Sequence, residues 1–155
     1  MRTHRKDCRG FTLIELIASI TIIAILAAVS LPHLAAATPF AERGYADGVA
    51  ASLRQARAVA LASGCDVQFT IDAAGYRAMQ HAAAGTHCAA AGAWTTPVQR
   101  GVGNALTELQ PAGVALAANR QLVFASTGNV APAPVTINIG PQVLTVDAFG
   151  VVQGP

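Results

Sequence analysis

The sequence predicts an α+β fold: a long N-terminal helix, transmembrane and then amphipathic, packed on a C-terminal antiparallel β-sheet domain. Three observations carry this. Residues 11–31 read FTLIELIASITIIAILAAVSL, 21 residues with one charge. Tyr45, Val49, Leu53, Ala56 and Ala60 then recur at helical spacing. From Asp66 onward the pattern changes to short alternating runs separated by Gly, Asn and Asp. In order, residues 1–10 form a polar leader, 11–31 a membrane helix and assembly segment, 32–63 a kinked amphipathic continuation, and 64–155 a periplasmic β domain.

As a helix, the 11–31 run spans roughly 31 Å, enough to cross a bilayer. Its lone acid is Glu15. A carboxylate in hydrocarbon costs about 3 kcal/mol on insertion scales, so it needs a partner or a task. A cut between Gly10 and Phe11 would create a cationic α-amine at the depth of Glu15. The other reading of Glu15 is a side chain that snorkels to the interface near the helix end. Thr12, Ser19, Thr21 and Ser30 can bond back to helix carbonyls, and Ala18, Ala24, Ala27 and Ala28 allow close helix approach.

Pro32 removes a backbone donor, so a kink is expected there. Thr38-Pro39 suits a helix start, and Gly64 a stop. Asp66–Ile71 and Tyr76–Met79 form an expected hairpin across Asp72-Ala73-Ala74-Gly75. Residues 80–96 are rich in Ala, Gly and His and are expected to be a loop. Further expected strands are Val98–Val102, Gly113–Ala117, Gln121–Ala125, Val135–Ile139, Val143–Val146 and Val151–Gln153, with turns at Gly128-Asn129 and Phe149-Gly150.

The chain carries ten basic and eight acidic residues. Arg2, Arg5, Lys6, Arg9 and Asp7 precede Phe11, which leaves six basic against seven acidic residues, a balance of −1. The mature domain is therefore not basic, which disfavours nucleic-acid binding. Basic residues flanking an apolar helix stay cytoplasmic, so the C-terminal domain is expected in the periplasm. Cys8 lies in the leader. Cys65 and Cys88 are either a bridge, worth roughly 3 kcal/mol in the chain-entropy model, or two free thiols. An even pair in an oxidising compartment favours the bridge.

No catalytic residues, cofactor or metal are predicted. His33, His81, His87 and Cys88 match no zinc spacing. Ser30 and Ser63 lack a recognisable His/Asp arrangement, and the glycines form no phosphate loop. Trp94 reads as a loop-pinning residue or an interface anchor. Ala35-Ala36-Ala37 offers an ordinary signal-peptidase site that would release a soluble domain from Thr38. The apolar run, however, exceeds the 7–15 residues usual for such signals.

Arg9-Gly10-Phe11-Thr12-Leu13-Ile14-Glu15-Leu16 resembles the leader of type IV prepilins and type II secretion pseudopilins. The resemblance implies a type IV pilin-like fold and cleavage after Gly10 by an inner-membrane prepilin peptidase. It also implies N-methylation of Phe11 and a filament-assembly role for Glu15. Pro32 falls where many pilins bend.

The second half resembles the GspH/FimT type of minor pseudopilin. The residues concerned are Leu53-Arg54-Gln55-Ala56-Arg57-Ala58-Val59-Ala60-Leu61, the Ser126-Thr127-Gly128 turn after Leu122-Val123-Phe124, and the ending at Phe149-Gly150. The implied protein is a non-enzymatic, single-pass subunit of the bacterial inner membrane. It would join other major and minor pilin or pseudopilin subunits in a pseudopilus or pilus tip, supporting type II secretion or pilus biogenesis. DNA capture, known in FimT-like members, is disfavoured because the tail Phe149–Pro155 carries no arginine.

Overall fold

The computed structural model describes residues 12–35 and 38–154, with side chains over 28–35 and at 38 not described. The leader, Gly10, Phe11, Ala36 and Ala37 lie outside the described residues. The chain divides into two compact units, Met1–Ala37 and Thr38–Pro155.

In the first unit, α1 spans Leu13–Ala35. The expected membrane helix ends at Leu31; the observed backbone stays helical through Pro32 to Ala35. A proline withholds only its own N–H, and flanking turns can carry the helix past it.

In the second unit, α2 spans Thr38–Ser63, with Pro39 in the first turn, where a missing N–H leaves no helix bond unmade. Gly64, at φ +66, closes it by donating to Ala60 O at 3.0 Å. The strands in order are β1 Val67–Asp72, β2 Gly75–His81, β3 Ala83–Ala84, β4 His87–Cys88, β5 Trp94–Pro97, β6 Gln99–Gly101 and β7 Asn104–Ala105. They continue with β8 Thr107–Leu109, β9 Arg120–Phe124, β10 Val130–Ala131, β11 Val135–Ile139, β12 Gln142–Val146 and β13 Val152–Gln153. The main sheet has the order β10-β9-β1-β2-β5, with β8 also on β2. A second sheet has the order β11-β12-β13, and β3-β4 and β6-β7 are small ribbons. All pairings are antiparallel.

The helix contacts both sheets. Its stripe of Tyr45, Val49, Leu53, Ala56 and Ala60 is buried, widened by Ala46 and Ala50. Against it lie Val67, Phe69 and Ile71 of β1, Leu122 and Phe124 of β9, and Ile137, Ile139, Leu144 and Val146 of the second sheet. These alternate along their strands, as a sheet with one buried face requires.

The second unit differs from the sequence reading in several stretches, among them β7, β8 and β10, which no expected strand covers. The expected loop 80–96 contains the end of β2, the β3–β4 ribbon and most of β5. Alanine and histidine have modest strand propensity, but pairing to a preformed edge overrides it. Conversely, Gly113–Ala117 is not a strand. It buries Val114 and makes one bridge, Leu116 to Ile139. Its Val-Ala-Leu-Ala run lacks a polar alternate to define two faces.

The β1–β2 hairpin turns on two residues, with Asp72 paired to Gly75 and Asp72 Oδ1 accepting from Ala74 N at 2.9 Å. Beneath it lies a polar knot. Tyr76 donates to Glu108 Oε2 at 2.6 Å, and Arg100 Nη2 donates to Tyr76 Oη at 2.6 Å and Ser52 Oγ at 3.3 Å. This ties the 99–109 segment to α2 and β2. The Tyr45 ring lies 5.9 Å from that of Tyr76, and its hydroxyl is buried without a hydrogen-bond partner. Burial pushes the Tyr45 hydroxyl up to about 12, helped by Tyr76, Glu108 and Asp72. Burial and then the bond to Glu108 raise Tyr76 as well.

A Cβ on Gly75 (φ +130) would overlap Glu108 O and come within 2.8 Å of Leu109 Cα, whereas one on Gly85 (φ +64) meets nothing within 4 Å. Gly75→Ala should lower unfolding stability by about 3 kcal/mol or more, and Gly85→Ala by only about 1–2. Urea midpoints check this, and equal losses would refute the backbone clash.

The chain has two tyrosines, both buried. Above pH 10 the unfolded chain releases their protons while the folded one holds them. Stability is therefore full below 10 and falls as pH climbs toward about 12. Tyrosinate absorbance should rise together with loss of the sheet's circular dichroism. A normal titration near 10 with the sheet intact contradicts this. Tyr45→Phe should be neutral or stabilising by up to about 1 kcal/mol, because it removes an unpaired hydroxyl.

Candidate functional site

Three regions carry the residues singled out by sequence. The first is the start of α1. Thr12 caps it, its Oγ1 accepting from Glu15 N at 3.3 Å and its carbonyl from Leu16 N at 3.1 Å. Glu15 thus sits in the first turn, where the helix dipole favours a negative charge. The hydroxyls of Ser19 and Thr21 turn back to the helix, donating to Glu15 O at 2.7 Å and to Ala18 O at 2.8 Å. This removes polarity from the helix surface.

That surface is apolar all round. Leu13, Ile14, Ile20, Ile23 and Ile25 point in different directions and are each more than half exposed. A helix apolar on every side belongs inside a membrane or a larger assembly. Among the described residues no helix is long and apolar enough to cross a membrane. The 11–31 run reaches beyond them at Phe11, and beyond the described side chains from Ala28 onward.

The second region gathers the three segments that carry the resemblance to minor pseudopilins. Arg57 on α2 donates through Nε to Gly128 O at 3.5 Å, and Arg54 donates to Val152 O at 3.4 Å. Gly150, at φ +73, is packed so closely that a Cβ there would lie 2.8 Å from Arg57 Cδ and 2.9 Å from Gly128 O. Asp147 Oδ1 holds this last turn, accepting from Phe149 N at 2.9 Å and Val151 N at 2.8 Å. The helix segment, the Ser126-Thr127-Gly128 turn and the Phe149-Gly150 turn therefore meet at one junction.

Three further arginines of the domain have separate partners. Arg77 pairs with Asp72 at 3.1 Å, Arg100 joins the tyrosine knot, and Arg120 donates to Thr136 O at 3.1 Å. Arg54 and Arg57 at the junction, and Arg77, Arg100 and Arg120 elsewhere, are thus engaged by the domain's own acceptors, and Arg43 lies apart from them near the start of α2.

The third region surrounds the cysteines. Cys65 and Cys88 are joined by a disulfide, with Cα atoms 6.0 Å apart. His87 lies against the bridge, its Nε2 3.8 Å from Cys65 Sγ. His81 stacks on Trp94 at 3.7 Å, and Gln80 donates to Ser63 Oγ at 2.9 Å. Ser63, Cys65, Gln80, His81, His87 and Cys88 line a shallow cleft of about 390 Å³. His33, beside Pro32, lies where side chains are not described. The Cys65–His87 contact was invisible to spacing because it joins a helix stop to a ribbon 22 residues away. The tyrosine knot was equally hidden, although the lone serine Ser52 on the buried face of α2 was a usable signal.

Residues 5–31 match the Prokaryotic N-terminal methylation motif, and residues 45–150 match Type II transport protein GspH. No curated protein gives a match. Among solved structures, the fold is similar to the type IV minor pilin FimU of Pseudomonas aeruginosa (strain PAO1). That crystal structure is 18% identical, covers 72% of this chain and 86% of its own, and has a TM-score of 0.51. A second crystal form is 16% identical, covers 72% and 90%, and has a TM-score of 0.48. At 18% identity the first likeness speaks for the fold, which is type IV pilin-like. The profile match spans most of the chain, and with the methylation motif ahead of it the protein belongs to the GspH family of type IV minor pilins and pseudopilins.

Proposed function

We propose that this chain is a non-enzymatic minor subunit of a periplasmic filament, built into a type II secretion pseudopilus or a type IV pilus tip. Residues 11–31 anchor it as a single pass in the bacterial inner membrane, with residues 64–155 in the periplasm and Pro32 bending the helix at the membrane exit. Prepilin peptidase cuts between Gly10 and Phe11, and Phe11 is N-methylated. The observation that carries this reading is α1, exposed and apolar around its circumference with one carboxylate in its first turn.

Once the chain is cut, the α-amine of Phe11 lies four residues from Glu15. In a staggered bundle, the amine of an incoming subunit pairs with the glutamate of its neighbour. Such a pair in low dielectric fixes register more than it adds net stability. The apolar side chains of α1 supply most of the cohesion when subunits leave lipid for the filament core.

The arginine pairings within the domain and the balance of −1 speak against DNA capture. N-terminal sequencing of the mature protein should give methylated Phe11; Thr38 would instead indicate an ordinary signal peptidase. Glu15→Ala should leave insertion and trimming intact while reducing recovery in sheared filaments by ~10-fold or more. Normal co-assembly of that variant refutes the role of Glu15. A deletion strain separates the two filament types, by loss of exoprotein export or loss of twitching and adhesion.

A further inference from the structure

The end of α2 delivers Cys65 to a ready-made donor set. The positive-φ turn at Gly64 carries it to the β3–β4 ribbon, which presents His87 and Cys88. One donor atom from each of Cys65, His87 and Cys88 lies within 4.8 Å of the others. The Cys65 sulfur is 3.8 Å from Nε2 and 4.0 Å from Nδ1 of His87. In a tetrahedral zinc site, with Zn–S about 2.3 Å and Zn–N about 2.1 Å, sulfur and nitrogen ligands stand about 3.6 Å apart. The observed separation is already close to that.

The surroundings suit an ion. The His87 ring rests over Gly64, where a Cβ would lie 3.7 Å from its Cε1. His81 lines the cleft with the three donors, and its Nδ1 is buried without a hydrogen-bond partner. Stacking on Trp94 holds that ring in place. Asp66 borders the same region and adds negative charge.

The geometry points to a redox-gated metal site: with the Cys65–Cys88 bridge reduced, the two thiolates and His87 bind a borderline-soft divalent cation such as Zn²⁺, with His81 or a water as fourth ligand. The thiolate, not a disulfide sulfur, is the metal ligand, so ion and bridge exclude one another.

The electron balance needs a dithiol. Its thiolate attacks the sulfur of Cys88, the more exposed cysteine, and releases the Cys65 thiolate beside His87. Its second thiol displaces Cys88, and the dithiol leaves as a disulfide. Metal binding to the two thiols then releases two protons. In an oxidising compartment the bridge prevails, and the metal form is the state of the chain before closure or after reduction. This inference does not depend on the filament reading.

The test uses the full chain in detergent micelles carrying Cys8→Ser, which removes the remaining thiol. Tris(2-carboxyethyl)phosphine reduces the bridge without adding a competing thiol, itself becoming the phosphine oxide with water as the oxygen source. Co²⁺ alone is the probe. The reduced chain should bind one equivalent with a thiolate-to-cobalt charge-transfer band, displaced by Zn²⁺, and the oxidised chain should show none. His87→Ala should still form the bridge on reoxidation yet bind Co²⁺ ~10-fold or more weakly. Absence of the band on reduction overturns the proposal, as does equal binding by the oxidised chain or by His87→Ala. Collapse of the sheet's circular dichroism on reduction without metal uptake also overturns it, because a folded reduced site is part of the claim.

Discussion

The seating of one face of α2 on two sheets organises the rest of the molecule. Its buried stripe is mostly small: Ala46, Ala50, Ala56 and Ala60 alternate with Tyr45, Val49 and Leu53. Small residues let the helix backbone approach the strands closely, and the larger side chains of β1, β9, β11 and β12 fill the remaining space. The chain is poor in aromatics, so Phe69, Tyr76 and Phe124 supply much of the core volume. Each lies on a strand of the main sheet facing the helix side. The same closeness brings Arg57 within reach of Gly128 O and leaves no room for a side chain at Gly150.

Periodicity gave away most of this arrangement, because one-sided burial writes itself into sequence. The α2 stripe and the existence of β1, β9, β11 and β12 were readable, and every residue of the expected stripe is buried. What failed was local. Short ribbons such as β3–β4 contain Ala-Ala and His-Cys, which no propensity scale marks as strand, and they pair because neighbours hold them in place. Long-range side-chain meetings were also hidden. Tyr76, Arg100, Glu108 and Ser52 come from four separate segments. Spacing cannot reveal a contact that only the finished topology makes.

The junction of Arg54, Arg57, Gly128, Gly150 and Val152 changes how the pseudopilin-like motifs of the second half should be understood. A basic helix segment next to a glycine-containing turn invites a ligand reading. Here the guanidinium groups close carbonyls that strand ends and turns leave unpaired, a need that any buried polar backbone imposes. Gly150 is required because Arg57 occupies the space its side chain would take. The motif is therefore accounted for by folding, and the functional weight moves to α1 and to the cysteine cleft.

Under the proposed function α1 and the β domain work in different solvents, and this difference decides which forces matter in each. The β domain buries an alternating apolar set and carries nearly balanced charge, so water outside it drives its folding. Around α1 no such gradient exists once it leaves water, since its exposed side chains are as apolar as lipid. Apolar contact alone would then permit many sliding registers between similar helices. In the proposed filament a single carboxylate in the first turn would break that degeneracy, because only one stagger would bring it to a positive partner and every other would leave it buried alone. On this argument Glu15 contributes specificity, and its energetic weight lies in the arrangements it forbids.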